Sequence, residues 1–153
     1  MPEWPDFEGQ RLADTWQIPR MKIKNNKPIA NFTDIDPGIL ICDSFALENL
    51  GEALESEVEV LSIENVDKID MYILNVVNLI DCLDEDNSEI EYFSSGRIMN
   101  IQSYSFFTEN LNDTMLFKIP QFSRTEIFST DSCRNQVLRS SLTGLTFAQV
   151  YSS

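Results

Sequence analysis

The stretch from Met71 to Leu83 is the most apolar in the chain, and Asn75, Asn78 and Asp81 interrupt it. At about thirteen residues it is too short and too polar to cross a bilayer, which takes about twenty consecutive apolar residues. It must therefore be buried inside a folded domain. Ile69, Tyr72, Ile73, Val76, Val77, Ile80 and Leu83 recur at helical spacing, so the spacing predicts a helix starting near Val66. The segment opens on β-favouring residues, which leaves a strand running into a helix as the alternative reading.

The elements around it follow from local signals. Ile39 to Cys42 reads as a short apolar strand, and Asp43 or Ser44 can accept from the free amides of a following helix as an N-cap. Phe45 to Leu54 carries Leu47, Leu50 and Leu54 at helical spacing, and Val58, Val60 and Leu61 to Ile63 read as a returning strand. Glu89 to Phe93 and Arg97 to Tyr104 flank Ser94, Ser95 and Gly96, where Gly96 can take the positive φ of a tight hairpin. Met115, Phe117 and Ile119 alternate as a strand closed by Pro120. Trp4 to Lys27 is an irregular leader, with Trp16, Ile18, Met21 and Ile23 as its expected anchors. One internal echo stands out: Ile39 to Ser44 parallels Ile127 to Ser132, with Leu50 and Leu54 matched by Leu138 and Leu142. Each copy would be strand, Asp-Ser cap, helix and strand. Few identities carry the match, so the alternative is that two short units of this kind look alike because they obey the same physics.

These 153 residues make one domain of ordinary size, with core material enough to fold without metals or disulfides. The formal charge of −14 is unevenly placed. Between Pro28 and Gly96 there are seventeen acidic residues and one basic residue, Lys68, a net of −16, while the flanking segments are +1 each. Such a field repels nucleic-acid phosphates and anionic lipid and speeds encounter with a basic partner. Arg20, Lys22, Lys24 and Lys27 form the one basic cluster of the leader, too small to reverse that field. Cys42, Cys82 and Cys133 are odd in number and far apart. They read as reduced, buried thiols of a cytoplasmic protein. The start shows no basic region followed by an apolar stretch, so no secretory signal is expected. Without export, the glycosylation patterns at Asn31 and Asn112 are chance matches.

The chain contains no histidine. Imidazole-activated serine and cysteine nucleophiles are thereby excluded, as are histidine-ligated zinc and iron sites. The five glycines, Gly9, Gly38, Gly51, Gly96 and Gly144, are scattered and make no phosphate-cradling loop. Asp84, Asp86 and Ser88 resemble the opening of a calcium loop, but Glu89 stands where that loop needs glycine and Ser95 where it needs glutamate. No metal and no cofactor are expected. What remains is a set of carboxylates, Asp81, Asp84, Glu85, Asp86, Glu89 and Glu91, within eleven residues. A carboxylate hydrolase would need two of them in one cleft. A solvated turn, or a negative surface facing a basic partner, needs only exposure.

Three blocks carry a family resemblance: Gly38 to Ser44, Met71 to Asp84 followed by Ser88, and Ile127 to Asp131 with Leu142 to Phe147 and Val150. Together they span most of the chain from about Ile29, and the chain resembles immunity-protein family eleven of bacterial polymorphic toxin systems. The resemblance implies an α+β protein, encoded beside a toxin, that protects its producer by binding the toxin domain, with no catalytic residues to carry over.

The expected architecture is thus α+β: one domain over 1–153 with an irregular leader over 1–27. An antiparallel sheet would be flanked by helices starting near Phe45, Val66 and Ser132, with two similar strand-helix-strand units as one option within it. The expected function is immunity by binding a basic toxin domain such as a nuclease and covering its active site, not catalysis. No direct contact with nucleic acid or membrane is expected. An acidic adaptor or nucleic-acid mimic is the alternative. The partner surface is assigned to Asp84, Glu85, Asp86, Glu89 and Glu91, with Glu55, Glu57 and Glu59 second.

Overall fold

A computed structural model describes residues 5–18, 20–21, 30–34, 38–65 and 70–151. Five strands form the main sheet: β1 (Arg20–Met21), β2 (Phe32–Asp34), β3 (Leu40–Asp43), β4 (Val58–Asn65) and β5 (Met71–Val76), in the order β1-β4-β5-β3-β2. Neighbours are antiparallel except β1 and β4, which run parallel. Helix α1 (Ser44–Leu54) connects β3 to β4. A hairpin of β6 (Glu89–Tyr92) and β7 (Ile98–Ser103) and a short pair, β8 (Leu116–Phe117) with β9 (Phe128–Ser129), form two smaller antiparallel sheets. Helix α2 (Asp131–Arg139) follows β9. The fold class is α+β, as the sequence indicates.

The apolar stretch at Met71 is not a helix. It is β5, the central strand, between β4 and β3. Met71, Ile73, Leu74, Asn75 and Val76 are all buried. A strand covered on both faces shows a near-continuous apolar run instead of clean alternation, and such a run also satisfies helical spacing. The β-branched Ile73 and Val76 suit the pleated backbone. Beyond β5 the chain stays extended, with single bridges from Leu79 to Lys118 and from Leu83 to Phe106. Residues 66–69, where the helix was expected to start, lie outside the described residues.

Side-chain alternation along the strands divides the core. Leu40, Cys42, Val58, Leu74 and Val76 face α1 and α2 and pack with Ala46, Leu50, Leu54, Cys133 and Val137. Ile41, Leu61, Met71 and Ile73 face the other way and pack beneath the leader residues Phe7 and Leu12, with Trp16 at the margin. Cys82, Leu83, Ile101, Phe106, Phe117, Ile119 and Phe128 form a separate cluster beneath the hairpin. Its rings meet edge-on and stacked, with Phe117 and Phe128 centroids 5.4 Å apart, a geometry that adds to area burial alone.

The leader is part of this packing. Trp16 Nε1 donates to the Ser62 carbonyl at 3.0 Å, and its ring meets Phe7 edge-on at 6.2 Å. Three buried polar side chains hold the leader's main chain. Lys118 Nζ donates to the Phe7 carbonyl at 2.7 Å, Asn75 Nδ2 to the Gln10 carbonyl at 2.9 Å, and the Leu12 amide to Glu59 Oε1 at 2.7 Å. Ile18 is exposed and so is no anchor. Trp4, Ile23 and the Met21 side chain lie outside the described residues.

At α1 the expected cap is present: Asp43 has extended backbone and accepts from the Ala46 amide at 2.9 Å. The echo at residue 127 holds for its strand and helix, β9 and α2, but not for its cap or its closing strand. Asp131 and Ser132 lie inside α2, and the N-cap is Thr130, whose hydroxyl donates to the Thr114 carbonyl at 2.6 Å instead of capping the helix. No returning strand forms over 145–150, so the second copy lacks the element that would close a strand-helix-strand unit.

Candidate protein-binding surface

The acidic segment before β6 is a built turn. The Asp84 amide donates to the Ser105 carbonyl at 2.8 Å, the Ser88 hydroxyl donates to the Asp84 carbonyl at 2.6 Å, and the Ser105 amide donates to Ser88 Oγ at 2.9 Å. Asp84 Oδ2 accepts from Asn87 Nδ2 at 2.7 Å. Side-chain acceptance of this kind is why Asp and Asn favour turns. Asp84 is therefore half-buried and committed to the turn, whereas Glu85, Asp86, Glu89 and Glu91 are exposed. Glu91 accepts from Gln102 across the hairpin. The side chains of Glu85, Asp86 and Glu89 have no hydrogen-bond or ion-pair partner among the described residues.

The second acidic group divides. Glu55 is exposed at the C-cap of α1, but Glu57 and Glu59 are 7% and 9% exposed. Glu57 accepts from the Met115 amide at 3.0 Å, the Leu116 amide at 3.2 Å and Asn78 Nδ2 at 3.2 Å. Glu59 accepts from Asn75 Nδ2 at 3.2 Å as well as from the Leu12 amide at 2.7 Å. Arg11 lies at 3.9 Å, too loose to dominate. Both carboxylates serve buried amides that would otherwise be orphaned, and neither is presented to a partner. The leader covers the sheet at Glu59, and β8 starts against Glu57.

A further acidic surface, containing Glu48 and Glu52 that the sequence analysis did not assign, runs along α1. Ala46, Leu50 and Leu54 are buried, so Glu48, Glu52 and Glu55, spaced four and then three residues apart, are aligned on the outer face with the half-exposed Phe45. The signal was present once the helix was bounded by its Asp43 cap.

Two cavities among the described residues are each lined by one carboxylate. A cavity of about 730 Å³ between α2, β9 and the segment 144–150 is lined by Leu50, Phe128, Val137 and Phe147, with Glu126 as its carboxylate. Desolvation raises the Glu126 pKa. A second cavity, of about 570 Å³, has Asp131 as its carboxylate, beside Arg134. Neither holds the pair of acids a carboxylate hydrolase needs. Burial pushes the Cys42 thiol up to about 12 and those of Cys82 and Cys133 to about 11, with Asp43, Asp81 and Glu57 respectively adding to the effect. Thiols so raised are poor nucleophiles. Among the described residues no group of three His, Cys, Asp or Glu is placed to hold a metal ion. No helix among the described residues is long and apolar enough to cross a membrane.

A family model described as an immunity protein family (Imm11) matches residues 21–152. That span contains the acidic turn, the hairpin and α1, and leaves out the leader segment 5–18. No curated protein matches the chain.

Proposed function

We propose how this chain, which belongs to the immunity protein family Imm11, confers immunity: it binds a cognate toxin domain through its acidic surface and blocks it by covering its active site. The observation that carries this reading is the set of unpartnered carboxylates, Glu85, Asp86 and Glu89, held with Glu91 on a turn and hairpin fixed by internal hydrogen bonds. Carboxylates without internal partners contribute nothing to the fold and cost stability by mutual repulsion. They suit a partner that brings opposite charge. The expected toxin domain is basic, a nuclease being one such case, and the −16 of the central segment would accelerate their encounter. Glu55, with Glu48 and Glu52, extends the field along α1. Action is by stoichiometric binding in the cytoplasm, within one domain. The lack of histidine, the raised thiols and the cavities without paired acids support binding over catalysis.

The test is charge reversal at Glu85, Asp86, Glu89 and Glu91 together, with association to the toxin domain followed at several salt concentrations. The expected result is a slower on-rate and a flatter salt dependence. An unchanged on-rate with unchanged protection would remove this surface from the reading.

A further inference from the structure

The hairpin that carries Glu89 and Glu91 also exposes apolar side chains. Tyr92 is 52%, Phe93 50% and Met99 45% exposed. Neither ring has an aromatic partner among the described residues. The exposure follows from the way the hairpin is built. Ile90, Ile98 and Ile101 point into the cluster with Phe106 and Phe117 and anchor one face. Two irregularities in pairing, where Ile90 faces Ile101 after Glu89 faces Ser103, and Tyr92 faces Ile98 after Glu91 faces Asn100, leave Gln102 and Met99 as extra residues. Each bulge twists the ribbon and redirects side chains. The second carries Tyr92 and Phe93 past the end of the cluster. The tip closes on Phe93, whose amide donates to the Arg97 carbonyl at 2.8 Å and whose carbonyl accepts from Gly96 at 2.9 Å. Gly96 supplies the φ of +89°. At the base, the Asp84–Ser88–Ser105 hydrogen bonds fix the hairpin to the body.

We infer that this hairpin is the anchor of the toxin interface: Tyr92, Phe93 and Met99 enter an apolar depression on a basic protein surface, and the carboxylates at the hairpin base pair with the lysines or arginines around it. The inference rests on the immunity-by-binding reading and deepens it. Charge complementarity selects this occupant. The segment 84–91 bears five acidic residues and no basic one, so a hydrophobic partner lacking positive charge would leave them repelled and unpaired at the rim. Rigid aromatic side chains at the centre with charges around them is also the usual division of labour in an interface. Aromatic anchors set the dissociation rate, and the charged rim sets the association rate. Because the base is already bonded, little ordering is lost on docking.

The test uses the full chain and the toxin domain encoded by the neighbouring gene. Tyr92→Ala with Phe93→Ala should weaken the complex by about 30-fold or more, chiefly through faster dissociation, while the salt dependence of the on-rate stays intact. Leu138→Ala on α2, a half-exposed apolar side chain outside the acidic surface, should leave the affinity unchanged. Hydroxyl-radical footprinting of the unmodified complex should show Tyr92, Phe93 and Met99 protected, a readout that needs no variant. Native complex formation with unprotected Tyr92 and Phe93 and an unaffected double variant would overturn the anchor and leave immunity by binding intact. Loss of affinity in Leu138→Ala alone would overturn the hairpin anchor and move it to α2. Absence of any complex with the native chain would overturn both.

Discussion

Lys118 is fully buried, at 0% exposure, and its Nζ donates to the carbonyl oxygens of Phe7 at 2.7 Å and Gly38 at 3.0 Å. Two carbonyls solvate an ammonium less well than water does. Burial therefore lowers its pKa from 10.5 to about 8, partly offset by the charge of Glu8. The folded chain releases this proton near pH 8, whereas the unfolded chain keeps it to about 10.5. Between those values the unfolded state binds more protons, so this group's contribution to stability rises with pH. Below pH 8 both states are protonated and the contribution is level. The shift is worth about 3 kcal/mol at 1.36 kcal/mol per pKa unit. The three thiols act in the opposite sense. Their folded pKa values lie above the ordinary 9.0, so the unfolded state loses protons first and stability falls above pH 9. The informative quantity is thus the difference between the native chain and Lys118→Met, in which the thiols cancel. Urea denaturation of both proteins from pH 7.5 to 10.5 should show the native chain gaining about 3 kcal/mol on the variant across the window. A difference independent of pH would refute the claim that Lys118 is held in a poorly solvating site.

Glu57→Ala leaves the buried amides of Met115 and Leu116 without acceptors. It should cost about 2–4 kcal/mol in urea denaturation, while the exposed Glu55→Ala stays within about 0.5 kcal/mol; equal effects would contradict the inward placement of Glu57. Cys42, Cys82 and Cys133 are buried with raised pKa values. A thiol reagent at pH 8 should label none of them in the folded protein and all three in denaturant, and rapid native labelling would show that the core opens.

Much of the fold is legible in the sequence because local chemistry decides it. Asp43 caps α1, Leu50 and Leu54 lie on its buried face as their spacing predicts, with Ala46 beside them and Leu47 only partly buried, and Gly96 sets the hairpin turn. The central strand, Met71 to Val76, lacks a strand signature because burial on both sides of a sheet removes the alternation that would identify it. The exposure of Asp86 and Glu89 could be read from their polar context. The burial of Glu57 and Glu59 could not, since it depends on contacts with Leu12, Met115 and Leu116 far along the chain. The bulges that expose Tyr92 and Phe93 are likewise a matter of strand register, which the residue pattern alone leaves open.

The most direct test of immunity by binding is co-expression of this chain with the toxic C-terminal domain encoded beside it, scored by survival and by co-purification. The expected result is survival together with a stable complex at defined stoichiometry. Undiminished toxicity with no complex would contradict it.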